Sequence, residues 1–199
     1  RTATKELRLG WLQNPTRHLI FGVWVNTDVE IVTPLDKELY KRWVFILRRC
    51  FYTNQTKHYE DVSICDEWLT FSNFRQWMET QDWEGKALDK DLLYQGNKVY
   101  SPDTCAFIPP EINTLITAPT KKGKTSPTGI SFQQSSQKYI VSCAIGGKNK
   151  NLGRYDCPEQ AFSVYKAFKE NLVKQKAEEY RDQIDERAYR ALMNFKVKE

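Results

Sequence analysis

The apolar positions of this chain follow a helical spacing in its first half and a strand-like alternation in part of its second half. After Pro34, apolar residues recur every three to four positions with basic residues between them, which predicts an amphipathic helix with a basic flank. These apolar positions are Leu39, Trp43, Ile46, Leu47 and Cys50. The same spacing predicts a short helix near Phe71–Met78, and Leu19–Val25 fits one buried strand.

Turn-forming residues divide the middle of the chain into short elements. A Gln-Gly-Asn turn at 95–97 stands between short apolar pieces, so a hairpin is predicted over Ala87–Val99. A Pro-Pro pair at 109–110 then predicts a helix through Glu111–Ile116, since proline suits the first helical turn. Residues 118–128 lack an apolar period and are rich in Pro, Gly, Lys, Ser and Thr, which predicts a linker.

Three strands are predicted after the linker. They fall at Gly129–Gln133, Lys138–Ile145 and Asn149–Gly153, with a Gly-Gly turn before the third. In the middle strand the more apolar residues occupy every second position, which places them on one face. These residues are Tyr139, Val141, Cys143 and Ile145.

A helix follows the strands and is predicted to cover their apolar face. Asp156 is the expected N-cap, with Glu159 at the capping-box distance. The side turned to the sheet carries Ala161, Val164, Tyr165, Phe168 and Leu172. Beyond Lys174 the segment Lys176–Arg190 is mostly charged, so a projecting or frayed helix is expected there.

Composition is typical of a soluble, cytoplasmic protein. The chain has no run of about eighteen apolar residues and no basic-then-apolar leader, so neither membrane insertion nor export is expected. With 40% hydrophobic and 13% aromatic residues, 199 residues can bury one modest core or two small ones. The five cysteines are odd in number and lack CxxC spacing, which favours reduced core thiols over disulfides or a structural zinc.

Positive charge is concentrated in one part of the chain. Residues 121–175 contain ten Lys or Arg and three Asp or Glu, although the whole chain carries a net charge of only +5. A basic segment attached to a near-neutral remainder favours a polyanionic partner for the C-terminal part. The alternative is a solvated, lysine-rich surface.

The segment from Leu152 to Ala167 contains three short motifs in sequence: Leu-Gly-Arg-Tyr-Asp, then Glu-Gln-Ala-Phe, then Tyr-Lys-Ala. With a Gly-Ile pair at 129–130 and a Lys-Tyr pair at 138–139, this segment resembles the APETALA-type, or ethylene-response-factor, DNA-binding domain. The resemblance implies a three-stranded antiparallel sheet that is backed by one helix and enters the major groove, which admits a β-ribbon.

This resemblance and the strand alternation together assign a DNA-binding face. The side chains opposite the helix would meet the bases, and basic side chains at the flanks would reach phosphates. The predicted DNA-binding residues are Ser131, Lys138, Ser142, Lys148, Asn149, Lys150, Asn151 and Arg154. The family reads bases largely through Arg and Trp, whereas this face carries Ser, Ala and Asn, so no target sequence is predicted. A small basic module that binds a protein or RNA is the alternative.

The central block, about Tyr40–Leu115, contains Cys-Asp-Glu-Trp at 65–68, Leu-Asp-Lys at 88–90 and Tyr-Ser-Pro-Asp-Thr-Cys at 100–105. In this order the block resembles HNH-type homing endonucleases of bacteriophages, which often carry the APETALA-type module. The implied fold class is α+β, with an HNH-like ββα core domain followed by a three-stranded antiparallel sheet packed on one helix. The implied domains are 1–117 with an N-terminal extension, a linker at 118–128, and 129–199 with a helical tail.

The HNH resemblance implies three candidate catalytic residues. Asp89 matches the metal-binding aspartate and Asn113 the last metal-site position, where an active enzyme would hold Mg²⁺. Lys90 stands where the family places the histidine that deprotonates water, and an ordinary lysine is protonated near neutral pH. The two histidines of the chain, His18 and His58, lie outside this segment.

Three functions follow from these residues. The first is a phage-encoded, double-stranded DNA-binding protein with a degenerate nuclease site, in which Lys90 contacts a phosphate. The second is an active Mg²⁺-dependent endonuclease that uses Asp89, Asn113 and an unusual base. The third is a phage protein that acts on a host protein complex through its tail at 176–199. Duplex DNA is the expected partner in the first two cases, a host protein in the third, and a membrane in none.

Overall fold

The structure is a computed structural model that describes residues 17–52, 61–117 and 129–197. Five α-helices and nine short strands lie in these segments, so the predicted mixture of helices and sheets is confirmed. The predicted linker at 118–128 and residues 1–16 of the N-terminal extension lie outside the described residues. The chain divides into two compact units, a first unit of Arg1–Asp82 with Lys90–Cys105 and a second unit of Trp83–Asp89 with Ala106–Glu199.

A β-hairpin begins the described part of the first unit. Strands β1 (Arg17–Ile20) and β2 (Val23–Asn26) pair antiparallel across a turn at Phe21 and Gly22. Both turn residues have positive φ, 51° and 81°, which suits a two-residue hairpin. The prediction of one buried strand was therefore wrong, because the turn reverses the chain within the apolar run. Val25 is buried, whereas Leu19 is 56% exposed.

Two helices carry the core of the first unit, and both confirm the predictions from helical spacing. They are α1 (Pro34–Phe51) and α2 (Phe71–Glu79). The ring of Trp43 on α1 packs 5.3 Å from that of Phe71 on α2, and both residues are fully buried. Trp43 also donates its indole N–H to the carbonyl oxygen of Trp68 at 2.6 Å. Trp68 lies in the 3-10 helix Asp66–Leu69, which the apolar pattern did not predict.

A short parallel pairing connects the two chain segments of the first unit. Strand β3 (Ser63–Ile64) pairs with strand β5 (Val99–Tyr100). The N–H of Cys65 extends this pairing by donating to the carbonyl oxygen of Tyr100 at 2.9 Å. Arg49 on α1 donates to the hydroxyl of Tyr100 at 3.0 Å, so side chains support the same connection.

The second unit begins with two strands whose pairing differs from the one that the sequence predicts. Strand β4 (Ala87–Asp89) pairs antiparallel with β6 (Ala106–Ile108), and helix α3 (Pro110–Ile116) follows as predicted. The expected hairpin over Ala87–Val99 was therefore wrong. All three residues of β6 are buried and apolar, which makes β6 a better partner for β4 than the polar residues after the turn at 95–97.

The three-stranded antiparallel sheet of the second unit confirms the predicted order. Its strands are β7 (Ile130–Gln133), β8 (Lys138–Ile145) and β9 (Lys148–Tyr155), with β8 in the centre. Helix α4 (Pro158–Glu179) packs on one face of the sheet. The buried residues between helix and sheet are Ile130, Val141, Cys143, Ala161, Phe162 and Tyr165.

The N-cap of helix α4 lies one residue later than predicted. Cys157 is the N-cap, because Pro158 occupies the first helical turn, where its fixed φ and missing N–H are tolerated. Asp156 instead forms an ion pair with Lys138 at 3.0 Å. Glu159 accepts a hydrogen bond from the Cys157 thiol, so the predicted capping box was wrong.

The charged tail packs as a helical hairpin. Helix α5 (Glu186–Met193) follows α4 after a 3-10 turn at Arg181–Gln183, and its Ala188 and Leu192 are fully buried. Val173 and Ala177 of α4 are buried as well. The expectation of a projecting or frayed helix was wrong, because a few small apolar residues at helical spacing are enough to pack the two helices.

All five cysteines are free thiols, as predicted. Cys105 and Cys143 are buried, Cys50 and Cys65 are half-buried, and Cys157 is exposed, so a core role was wrong for Cys157. Within the described segments, no helix combines the length and the apolar character that a membrane crossing requires.

Candidate nucleic-acid interface

Strand register gives the sheet of the second unit two different faces. Directly paired residues of antiparallel strands share a face, and successive residues alternate. Val141 and Cys143 of β8 point to helix α4, so Ser142 between them points away from it. Ser142 pairs with Asn151 of β9, which therefore shares this outward position. We call the side of the sheet away from α4 the outer face.

A β-bulge lets β9 present one more polar residue on the outer face. The pairing shifts between Val141 and Ser142 of β8, so Leu152 of β9 has no direct partner. The next residue, Gly153, has φ of +123°, a conformation that favours glycine. The hydroxyl of Tyr155 donates to the Leu152 carbonyl oxygen at 2.9 Å and fixes the bulge. Without this extra residue, strict alternation would turn Arg154 toward the helix.

Six of the eight predicted DNA-binding residues occupy the outer face. They are Ser131, Lys138, Ser142, Asn149, Asn151 and Arg154. Arg154 is exposed and makes no hydrogen bond or ion pair with another described residue, so its guanidinium is available to a ligand. Lys138 is held by Asp156, and the side-chain oxygen of Asn151 accepts from the Gly153 N–H at 2.9 Å.

Lys148 and Lys150 lie on the side of the sheet that faces α4. They pair with Ile145 and Cys143, two residues of the apolar side of β8. The ammonium of Lys150 lies 4.9 Å from the centroid of the Phe168 ring on α4, within the range of a cation–π interaction. The register thus separates these two lysines from Arg154, although all three lie on the same strand.

Sequence reasoning did not include Gln133 and Ile140 among the interface residues. Gln133 pairs with Lys138, and Ile140 pairs with both Ser131 and Arg154, so both join the outer face. The alternation from Ser131 already pointed to Gln133. Ile140 is half-buried and gives the centre of the outer face an apolar spot.

The candidate catalytic residues of the HNH resemblance fall in both units. Asp89 ends strand β4 of the second unit and is buried, with 6% of its surface exposed. Asn113 lies on α3 of the same unit, and its side-chain oxygen is buried without a hydrogen-bond partner among the described residues. Lys90 belongs to the first unit.

Lys90 holds a turn of the first unit together. Its ammonium donates to the Asp91 carboxylate at 2.6 Å and to the Asn97 carbonyl oxygen at 3.0 Å. Asn97 donates back to the Lys90 carbonyl oxygen at 2.8 Å. The Lys90 side chain is 11% exposed, so little of the ammonium surface remains for a phosphate or a water nucleophile.

The described residues do not bring three or more metal-ligating side chains together. Mg²⁺ takes oxygen ligands in octahedral geometry, commonly one or two carboxylates with waters and substrate phosphates. No group of three or more His, Cys, Asp or Glu side chains in the described segments could hold a metal ion. His18 lies on β1, with its ring nitrogen 3.4 Å from the Thr27 hydroxyl, and His58 lies outside the described residues.

No protein-family model matches this chain, and neither a curated protein nor a solved structure is significantly similar to it.

Proposed function

We propose that the chain is a double-stranded DNA-binding protein that lays the outer face of its three-stranded sheet in the major groove. The observation that carries the proposal is the strand register. It collects polar side chains and the exposed Arg154 on the face opposite α4. A major groove about 12 Å wide admits a two-stranded β-ribbon, so two of the three strands, spaced about 5 Å apart, are narrow enough to enter together.

The chemistry of the outer face favours a mainly phosphate-led contact. Arg154 offers a planar, permanently charged donor group for a phosphate or for the acceptor edge of guanine. Asn149 and Ser142 offer short donors and acceptors beside it. Because one exposed arginine dominates the charge, we expect moderate affinity with weak dependence on base sequence.

Two substitutions on strand β9 test this placement. Arg154→Gln and Lys150→Gln each remove one positive charge from the same strand, but only Arg154 lies on the outer face. We expect Arg154→Gln to weaken binding to a 20-base-pair duplex at least about five-fold, or ~1 kcal/mol, and Lys150→Gln to change it less than two-fold. Fluorescence anisotropy of the full chain with labelled duplex measures both.

Equal losses for the two variants would show that β9 binds DNA through net charge alone. A larger loss for Lys150→Gln would place the contact on the wrong side of the sheet and overturn the proposal. Circular dichroism of each variant checks that the sheet and α4 remain folded.

A further inference from the structure

A cavity of about 620 Å³ lies within the second unit, between α3, α4 and the end of the sheet. The turn at 146–147 and the last residues of β8 close one side, and Leu172 of α4 and Leu115 of α3 supply apolar walls. Cavities of roughly 300–1,000 Å³ with mostly apolar walls and a few polar groups are typical of small-molecule sites. The size alone therefore permits a ligand.

Two lysines of α4 line this cavity, and their surroundings differ. Lys176 forms ion pairs with Glu111 of α3 and Glu179, each at 2.8 Å. Lys169, two helical turns earlier, is 5% exposed and forms no ion pair with a described carboxylate. Its ammonium donates to the Tyr165 hydroxyl at 3.4 Å, a long and weak contact, and lies 5.7 Å from the centroid of the Tyr165 ring. Lys169 is thus a buried cation that lacks a counterion within the described residues.

Burying an ammonium without a counterion is costly, because the group loses its hydration and gains little in return. This burial lowers the pKa of Lys169 from its ordinary value, as the charged form is the one that loses water. A negatively charged ligand group beside the ammonium would supply the missing interaction. A buried lysine that lines a half-open cavity of ligand size therefore favours an anion site.

A backbone amide of β8 adds a second donor. The N–H of Ser142 donates to the Gly129 carbonyl oxygen at 2.8 Å, at the point where β7 begins. Alternate residues of an antiparallel strand direct their N–H groups to the same side, so Ala144 points its N–H past the end of β7. Gly129 and Ala144 both line the cavity, and no described strand pairs with β8 at that position.

The other walls limit the kind of anion. Glu111 and Lys176 line the cavity as an ion pair at 2.8 Å, so the ammonium of Lys169 is the uncompensated charge and matches a singly charged carboxylate better than a doubly charged phosphate. Leu115, Leu172 and Ile145 suit an aliphatic chain. We propose that this cavity binds a small monocarboxylate with an aliphatic body, whose carboxylate meets the Lys169 ammonium and the Ala144 N–H. This inference goes beyond DNA binding and does not depend on it.

Isothermal titration calorimetry of the full chain with sodium octanoate tests the site, with butyrate and dodecanoate as shorter and longer probes. We expect saturable binding of one octanoate per chain and at least ten-fold weaker binding of octanamide, which has the same size but no charge. Lys169→Met should weaken octanoate binding at least ten-fold. Lys174→Met, the matched control on the same helix, should change it less than two-fold.

Three results would overturn the proposal: no saturable binding of any of the three carboxylates, equal binding of octanoate and octanamide, or unchanged octanoate binding in Lys169→Met. The substitution replaces a buried charge by an apolar side chain of similar length, so we expect the fold to persist. If it does not, NMR of the unsubstituted chain decides, because octanoate should shift the ε-methylene signal of Lys169 and leave that of Lys174 in place. An unmoved Lys169 signal would contradict the site.

Discussion

At the scale of single residues, Thr33 and Asp36 fix the start of helix α1. The Thr33 hydroxyl oxygen accepts from the Asp36 N–H at 3.0 Å, and the Asp36 carboxylate accepts from the Thr33 N–H at 2.9 Å. Arg75 of α2 adds an ion pair to Asp36 at 2.8 Å. This capping box satisfies N–H groups that the helix itself cannot, and it links the two core helices of the first unit.

We predict that Thr33→Ala destabilises the first unit by ~1 kcal/mol at neutral pH, the usual cost of losing a helix cap. Thr33→Ser keeps the accepting oxygen and should stay within a few tenths of a kcal/mol. Urea unfolding followed by circular dichroism and tryptophan fluorescence measures the two variants. Equal stability of Thr33→Ala and the unsubstituted chain would contradict the capping role.

The cost of Thr33→Ala should also depend on pH. The N–H and hydroxyl of Thr33 hold the pKa of Asp36 below its ordinary value, and Arg75 acts in the same direction. A carboxylate with a lowered folded-state pKa stabilises the fold at neutral pH, and that contribution is lost as pH falls below its unfolded value of about 3.9. Thr33→Ala should therefore cost less at about pH 3 than at pH 7, and an equal cost at both values would show that Asp36 is not involved.

Single residues also explain why the sequence could predict most of the outer face but not all of it. Two-residue alternation places Ser142 opposite Val141 and Cys143 without any structure. The bulge at Leu152 interrupts that alternation on β9, and it depends on the positive φ of Gly153 and the Tyr155 hydrogen bond. Neither feature leaves a periodic pattern in the sequence. Only the strand pairing in the structure shows that Arg154 and Lys150 lie on different faces of the sheet.

At the scale of elements, helices and strands with a strong apolar period were predictable, and elements defined by distant pairing were not. Helices α1 and α2 and the sheet β7–β9 follow from local spacing, and α3 follows from the Pro-Pro pair at its start. Strand β4 instead selects β6 across an intervening segment, and no local pattern favours that partner over a nearer one. The packing of α5 was missed for a related reason. Its two fully buried residues stand among charged neighbours that dominate the composition.

We predict that Leu192→Ala destabilises the second unit by about 2–5 kcal/mol, because Leu192 is fully buried and its truncation leaves a cavity. Arg190→Ala on the same helix serves as the control. Its side chain is 75% exposed and pairs with Glu186, so the change should cost less than about 0.5 kcal/mol. Thermal unfolding of both variants separates a packed α5 from a frayed tail. A frayed tail would tolerate both substitutions equally.

At the scale of the whole molecule, the candidate residues of the two resemblances lie in different surroundings. Asp89 and Asn113 lie in the second unit, whereas Lys90 lies in the first unit and is tied to Asp91 and Asn97. The sheet and helix of the second unit have the predicted order, with a polar outer face. The outer face is therefore the feature on which our proposal of DNA binding rests.

The charge distribution over the whole chain makes duplex binding testable through its salt dependence. Neutralising Z phosphates releases counterions, so the logarithm of the binding constant falls with the logarithm of salt concentration at a slope of about −0.9Z. If Arg154 contacts one phosphate, Arg154→Gln should make this slope about 0.9 less steep, whereas Lys150→Gln should leave it unchanged. Anisotropy titrations between about 50 and 200 mM salt measure the slopes. A slope near zero for the unsubstituted chain would favour a protein partner over DNA, because a phosphate-led complex must weaken as salt rises.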